Sequence, residues 1–281
     1  MVPKGKLLII GGAEERKGQH PDKELQISEH FDILKKLLPE GKEKGRIEVV
    51  TSASSVGNEI AEIYRQTFRK IGYQNYGFMA PRSKQDARAG EICERVKKAD
   101  AVFFTGGDQL KLSTIFAGTE SWALIKERYE RDKDFLVAGT SAGAMALSDT
   151  MIIGGGMNEA LIGADIQTAS GLGFLHGCIV DTHFIRRGRF SRLAHAIILN
   201  TVNLGIGLGE DTALLISEGR SATCVGSGMV TVIDGAAILN TNISDAESGS
   251  PIYVENLKVH LLVEGCKINL EEKKLSFPKS N

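Results

Sequence analysis

Residues 135–143 read Phe135-Leu136-Val137-Ala138-Gly139-Thr140-Ser141-Ala142-Gly143. The run begins with four uninterrupted apolar residues, the mark of a strand covered on both faces. It ends in Gly139-x-Ser141-x-Gly143, the pattern of a strained strand-to-helix turn that raises a serine hydroxyl above a sheet. Residues 142–147 are small and helix-compatible, so strand, turn and helix follow in the order this pattern requires. Outward from this stretch the design repeats. Residues 7–10 and 101–105 are apolar runs that end in Gly11-Gly12 and Gly106-Gly107, and residues 46–51 and 75–79 read as further strands. Between them, residues 23–38, 58–71 and 85–98 carry apolar positions at helical spacing, the first closed by Pro39 and the second by Gly72. Strands alternating with helices predict an α/β fold, a largely parallel central sheet with helices on both faces.

The C-terminal half changes texture. A strand over residues 178–184 and a helix over 189–200 are followed by short β-rich pieces at 213–217, 222–225, 229–233 and 259–263, split by glycine-containing turns. These are expected to be antiparallel strands extending the same sheet. With no Pro/Ser-rich linker and no repeat, residues 1–281 are expected to form a single α/β domain.

Composition narrows the function classes. The 281 residues carry 34 Lys+Arg against 35 Asp+Glu, a formal net charge of -1, which argues against a nucleic-acid binder. No apolar run approaches the roughly 18 residues a membrane helix needs, so no membrane role is expected. Residues 7–10 are too short for the apolar region of a secretory leader, about 7–15 residues, and are expected to be a first buried strand. Cys93, Cys178, Cys224 and Cys266 are far apart with no CxxC pair, so neither a zinc site nor a disulfide framework is expected. Free thiols in a reducing cytoplasm are the reading, with a homodimer as the expected assembly.

In an open α/β sheet ligands bind beyond the carboxyl ends of the strands. There the sequence places three glycine-rich turns: Gly11-Gly12-Ala13-Glu14, Gly106-Gly107-Asp108-Gln109 and the turn at Ser141. A serine nucleophile needs a base, and the base needs an orienting acid. Of the six histidines, His20, His30, His176, His195 and His260 suit surface or structural roles. His183 differs, because it ends an apolar run in Asp181-Thr182-His183-Phe184. Glu210 and Asp211 both offer a carboxylate in a glycine-flanked segment. The Ala142 N–H, opening a helix, is a natural oxyanion donor, with a second expected from the Gly107–Asp108 turn.

Five blocks taken together, GGAE, FFTGGDQ, GTSAGAM, DTHFIRRGRFSRL and LGEDTAL, resemble in order and spacing the cyanophycinase family of serine peptidases, which is related to aspartyl dipeptidase. The likeness runs from about residue 7 to residue 216. It implies a flavodoxin-like fold similar to class I glutamine amidotransferases, with serine in place of cysteine at the turn, and no cofactor. It places the nucleophile on Ser141, the base on His183 and the acid on Glu210 rather than Asp211. The implied activity is that of a serine-type exopeptidase releasing β-aspartyl-arginine dipeptides from cyanophycin, a poly-aspartate chain with arginine on each side-chain carboxyl. Gln109, Asp181, Thr182, Arg187, Arg189 and Arg192 are expected to contact that substrate, the arginines through its carboxylates. Thr182 stands where many relatives carry glutamine. An aspartyl dipeptidase, or a non-catalytic flavodoxin-like module binding a small anion, are the alternatives.

Overall fold

The structure, a computed structural model, describes residues 2–13, 31–39, 41–42, 44–156 and 161–278. Strands β1 (Lys6–Ile10), β2 (Ile47–Val50), β3 (Tyr76–Met79), β4 (Ala101–Phe104) and β5 (Leu136–Thr140) lie parallel, in the spatial order β1-β5-β4-β2-β3. The continuous apolar runs are buried because side chains alternate between two covered faces. Leu7, Ile9, Val102, Phe104 and Val137 enter one core layer, while Leu8, Ile10, Ala101, Phe103 and Ala138 enter the other. Helix α1 (Gly57–Ile71) closes the second layer with Tyr64 and Phe68, and ends at Gly72, whose φ of 95° lets its N–H return to the last turn. On the opposite face, α2 (Lys84–Ala87), α3 (Gly90–Lys98), α4 (Gln109–Phe116), α5 (Glu120–Arg131) and α6 (Ala142–Ala146) supply Ala87, Val96, Phe116, Ile125 and Ala144 to the first layer.

Two of the expected helices differ. The segment 85–98 is broken between α2 and α3, because Ala89 is extended and Gly90 restarts the helix. Of the helix expected over 23–38, residues 23–30 lie outside the described residues, and 31–38 form only a 3₁₀ turn at Leu34–Leu37. Leu38 is extended there, as a residue preceding proline is driven to be. Neither α4 nor α5 was anticipated; their N-caps, Asp108 and Thr119, were the available signals.

The C-terminal half begins with an antiparallel hairpin, β6 (Thr150–Gly154) and β7 (Gln167–Ser170). It continues through β8 (Cys178–Asp181), α7 (Phe190–Leu199), β9 (Leu204–Leu208), β10 (Thr212–Ser217), β11 (Ser221–Gly226) and β12 (Val230–Asp234). The short pair β13 (Asn240–Thr241) and β14 (Val254–Glu255) precedes β15 (Lys258–Leu262), β16 (Lys267–Asn269) and β17 (Lys274–Ser276). Strands β10 and β11 extend the first sheet antiparallel beyond β1, as expected, and β16 and β17, which were not anticipated, continue it. Strands β12 and β15 do not. With β8 and β9 they form a second sheet, ordered β15-β12-β9-β8. Its inner face, with Val180, Ile206 and Val232, belongs to the first core layer. Helix α7 packs Leu193 and Ile197 on its other face, with Ile179 and Ile233.

All four cysteines are free and buried. Burial pushes the Cys178 and Cys224 thiols up to about 12, so neither competes as a nucleophile near neutral pH. No helix among the described residues is long and apolar enough to cross a membrane.

Candidate active site

The carboxyl ends of β1, β4 and β5 converge on Ser141, the residue after β5. Its backbone sits at φ 53°, ψ −121°, a region that non-glycine residues rarely occupy. The turn is held on both sides. The Ser141 N–H donates to the Ile10 carbonyl at 3.0 Å, and Gly143 lies so close to Phe104 that any side chain there would strike its carbonyl. Both glycines of the sequence pattern thus have a steric reason, with Gly139 packed against the Gly143 backbone.

His183 arrives from the other sheet. It follows β8 at φ 48°, and its N–H donates to the Gly11 carbonyl at 2.9 Å, pinning it to the end of β1. Its imidazole lies over Gly12, where any Cβ would collide with the ring. Nε2 stands 2.9 Å from Ser141 Oγ, and Nδ1 stands 2.7 Å from Glu210 Oε1. The residue after Glu210, Asp211, turns away at φ 49° and accepts a hydrogen bond from Ser227 Oγ at 2.6 Å. Of the two adjacent carboxylates, Glu210 is the one that meets the imidazole.

Burial lowers the His183 pKa below its ordinary value; the hydrogen bond to Glu210 opposes this, and the positive charges of Arg187 and Arg189 add to it. For Glu210, burial raises the carboxyl, but hydrogen bonds from His183 and Arg186 outweigh it and hold the group below its ordinary value. Arg186 Nη1 reaches both Glu210 oxygens, at 2.9 and 3.2 Å. These groups line a cleft of about 630 Å³ together with Gly12, Ser54, Gly106, Gly107 and Arg187. Among the described residues no backbone carbonyl accepts the Ala142 or Gly107 N–H. No group of three or more His, Cys, Asp or Glu is placed to hold a metal among them.

A family model, Peptidase family S51, matches residues 7–224. The chain belongs to peptidase family S51. As a member it is a serine-type peptidase. It is 32% identical to the cyanophycinase of Synechococcus elongatus over 268 residues, which cover 95% of this chain and 80% of that one. The cyanophycinase of Geminocystis herdmanii is also 32% identical, over 94% of this chain and 93% of its own. The crystal structure of a peptidase from an acI-B1 Actinobacterium superposes with a TM-score of 0.63 at 24% identity, covering 94% of this chain and 96% of that chain. The two chains therefore share a fold over nearly their whole lengths.

Several residues expected to contact substrate in this peptidase do not reach the cleft. Asp181 is fully buried and accepts two hydrogen bonds from Arg192, from Nε and Nη2, at 2.6 Å each, and one from Arg189 at 3.0 Å. Asp181, Arg189 and Arg192 are therefore a buried ion cluster, their charges spent on one another. Thr182 is 1% exposed, and its carbonyl accepts from Arg189. Gln109 donates to the Ile152 carbonyl at 2.8 Å, tying α4 to β6. The Asp108 N–H is already donated to the Ala53 carbonyl at 3.0 Å, so it is no oxyanion donor. Of the substrate-contact set only Arg187 lines the cleft, joined by Arg186. Ser54 and Ile60 also line it and were missed. The small polar run Thr51-Ser52-Ala53-Ser54-Ser55 after a buried strand was their signal, read on the same logic as the glycine turns. Of the sequence-stretch residues, Glu14, His20 and His30 lie outside the described residues.

Proposed function

We propose that the protein hydrolyses cyanophycin by acyl transfer, with Ser141, His183 and Glu210 as a catalytic triad. The continuous hydrogen-bonded chain from Ser141 Oγ through both His183 nitrogens to Glu210 carries this reading. Ser141 attacks an aspartyl carbonyl while His183 Nε2 takes its proton, then returns it to the leaving amine. Glu210 accepts from Nδ1–H and keeps the imidazole in the tautomer that leaves Nε2 free. The Ala142 and Gly107 N–H groups receive the oxyanion. Water, deprotonated by the same imidazole, then releases the acyl group from Ser141. The substrate assignment rests on the relatives' names and on the cationic rim of the cleft, where Arg187, in no ion pair among the described residues, would pair with a carboxylate.

Incubating the protein separately with insoluble cyanophycin and with Asp-X dipeptides tests it. Clearing of the polymer with release of β-aspartyl-arginine is the expected result. Cleavage of dipeptides alone would replace it with the aspartyl dipeptidase reading.

Four variants sharpen the roles. Glu210→Gln is expected to lower turnover strongly and Asp211→Asn weakly; the reverse ranking in steady-state kinetics reassigns the acid. Arg187→Ala is expected to cost roughly 10- to 150-fold in kcat/KM, the equivalent of one charge-assisted hydrogen bond of about 1.5–3 kcal/mol. That loss should shrink on a substrate whose carboxylate is amidated, and equal few-fold losses on both substrates would remove Arg187 from recognition. Finally, the base must be neutral to act, and its pKa is lowered. The acid limb of kcat/KM should therefore fall below pH 6.5, the ordinary imidazole value, with full activity above it. Arg187→Gln should move that limb upward, since removing a nearby cation favours the imidazolium. A limb above pH 7 in the wild type would contradict the electrostatics of the cleft.

A further inference from the structure

A second cavity, of about 720 Å³, opens beside the reactive cleft. Ser54 lines both, and the Gly107–Asp108 turn stands between them, with Gly107 in the cleft and Asp108 in the groove. The volume lies in the range of pockets that enclose a small ligand, about 300–1,000 Å³. Its walls carry charge of both signs, from different elements. Arg82 and Lys111 supply cations, and neither side chain is in an ion pair among the described residues. Glu59 and Asp108 supply carboxylates.

The direction of the reaction says which part of a substrate lies there. The leaving amine must face His183 Nε2 to receive its proton, so the leaving group sits on the side of His183, Arg186 and Glu210. The acyl portion extends away from these groups. The groove meets the cleft at Ser54 and the Gly107–Asp108 turn and is not lined by His183, Arg186 or Glu210, which puts it on the acyl side.

We propose that this groove is an acyl-side subsite for a further unit of a zwitterionic substrate chain, whose carboxylate meets Arg82 and Lys111 and whose guanidinium meets Glu59 and Asp108. The inference rests on the acyl-transfer reading above and adds to it where the uncleaved chain lies. It makes the enzyme sensitive to substrate length on one side of the scissile bond only.

The test uses four peptides sharing one Asp–Asp scissile bond. Two end at the acyl-side aspartate and two extend beyond it by two aspartyl units; one of each pair bears arginine on its side chains. Extension should raise kcat/KM about 10-fold or more in the wild type, and the doubly substituted Arg82→Gln, Lys111→Gln protein should lose that gain on the extended peptide. Lys111→Glu should turn the gain into a penalty for undecorated aspartyl extensions. Both side chains are exposed, and an unchanged melting temperature separates the effect from misfolding. Cleavage with no length effect, or a gain that survives the double substitution, overturns the groove while leaving the polymer reading intact. A length effect seen only on peptides without arginine overturns the zwitterionic subsite and the polymer reading together. Cleavage of none of the four overturns both.

Discussion

Ser141→Ala is expected to leave the protein folded and to lower turnover by about 10⁴-fold or more. The substitution removes one hydroxyl from a turn whose geometry is set by the backbone, through the Ser141 N–H to Ile10 and the packing of Gly143 on Phe104. Alanine must still adopt a φ near 53°, a strain serine already bears. His183→Ala should be comparably severe, and the double variant little worse than either single one, because the residues of such a chain act as a unit. Turnover measured on cyanophycin, beside a thermal melt, decides it. A Ser141→Ala protein that keeps a tenth of wild-type activity rules out the serine as nucleophile.

The second large effect is on stability. Asp181→Ala leaves the guanidinium groups of Arg189 and Arg192 buried without their shared carboxylate. Breaking a buried ion pair by removing one partner costs about 3–5 kcal/mol. For a chain of this size that corresponds to a fall in Tm of roughly 5–15 °C. Activity should fall as well, since Asp181 also accepts the Thr182 N–H at 2.9 Å and so fixes the turn that presents His183. Replacing the cluster with apolar residues of similar volume should recover much of the stability, as the desolvation penalty of three buried charges disappears with them. A melting temperature within about 2 °C of wild type for Asp181→Ala would reopen a substrate role for the arginines.

The contrast between these sites shows what a sequence carries and what it hides. Residues 7–10, 101–105 and 135–138 announced the parallel sheet, because a strand buried on both faces leaves a run of apolar residues with no polar face. The serine turn was legible for a related reason: glycines at fixed offsets record steric demands local to the chain. Strands at 229–233 and 259–263 were recognisable as strands, yet nothing local to an antiparallel strand says which sheet it joins. The partnership of β12 with β9 is a tertiary fact. The arginines at 189 and 192 were misread for the same reason. Their charge is visible in the sequence, while the buried Asp181 that consumes it becomes visible only when β8 and α7 pack. Arg186 holding Glu210, and Ser54 linking two cavities, arise from loops of different strands meeting in space.

The serine and its imidazole ride on different sheets, and the carboxylate comes later still in the chain. A nascent polypeptide therefore exposes Ser141 well before His183 and Glu210 have been synthesised, and the hydroxyl alone is inert. On the proposed triad, hydrolysis requires that the later sheet has docked and that Gly11 has received the His183 N–H. On that reading the onset of hydrolysis during refolding would report the docking of the second sheet on the first.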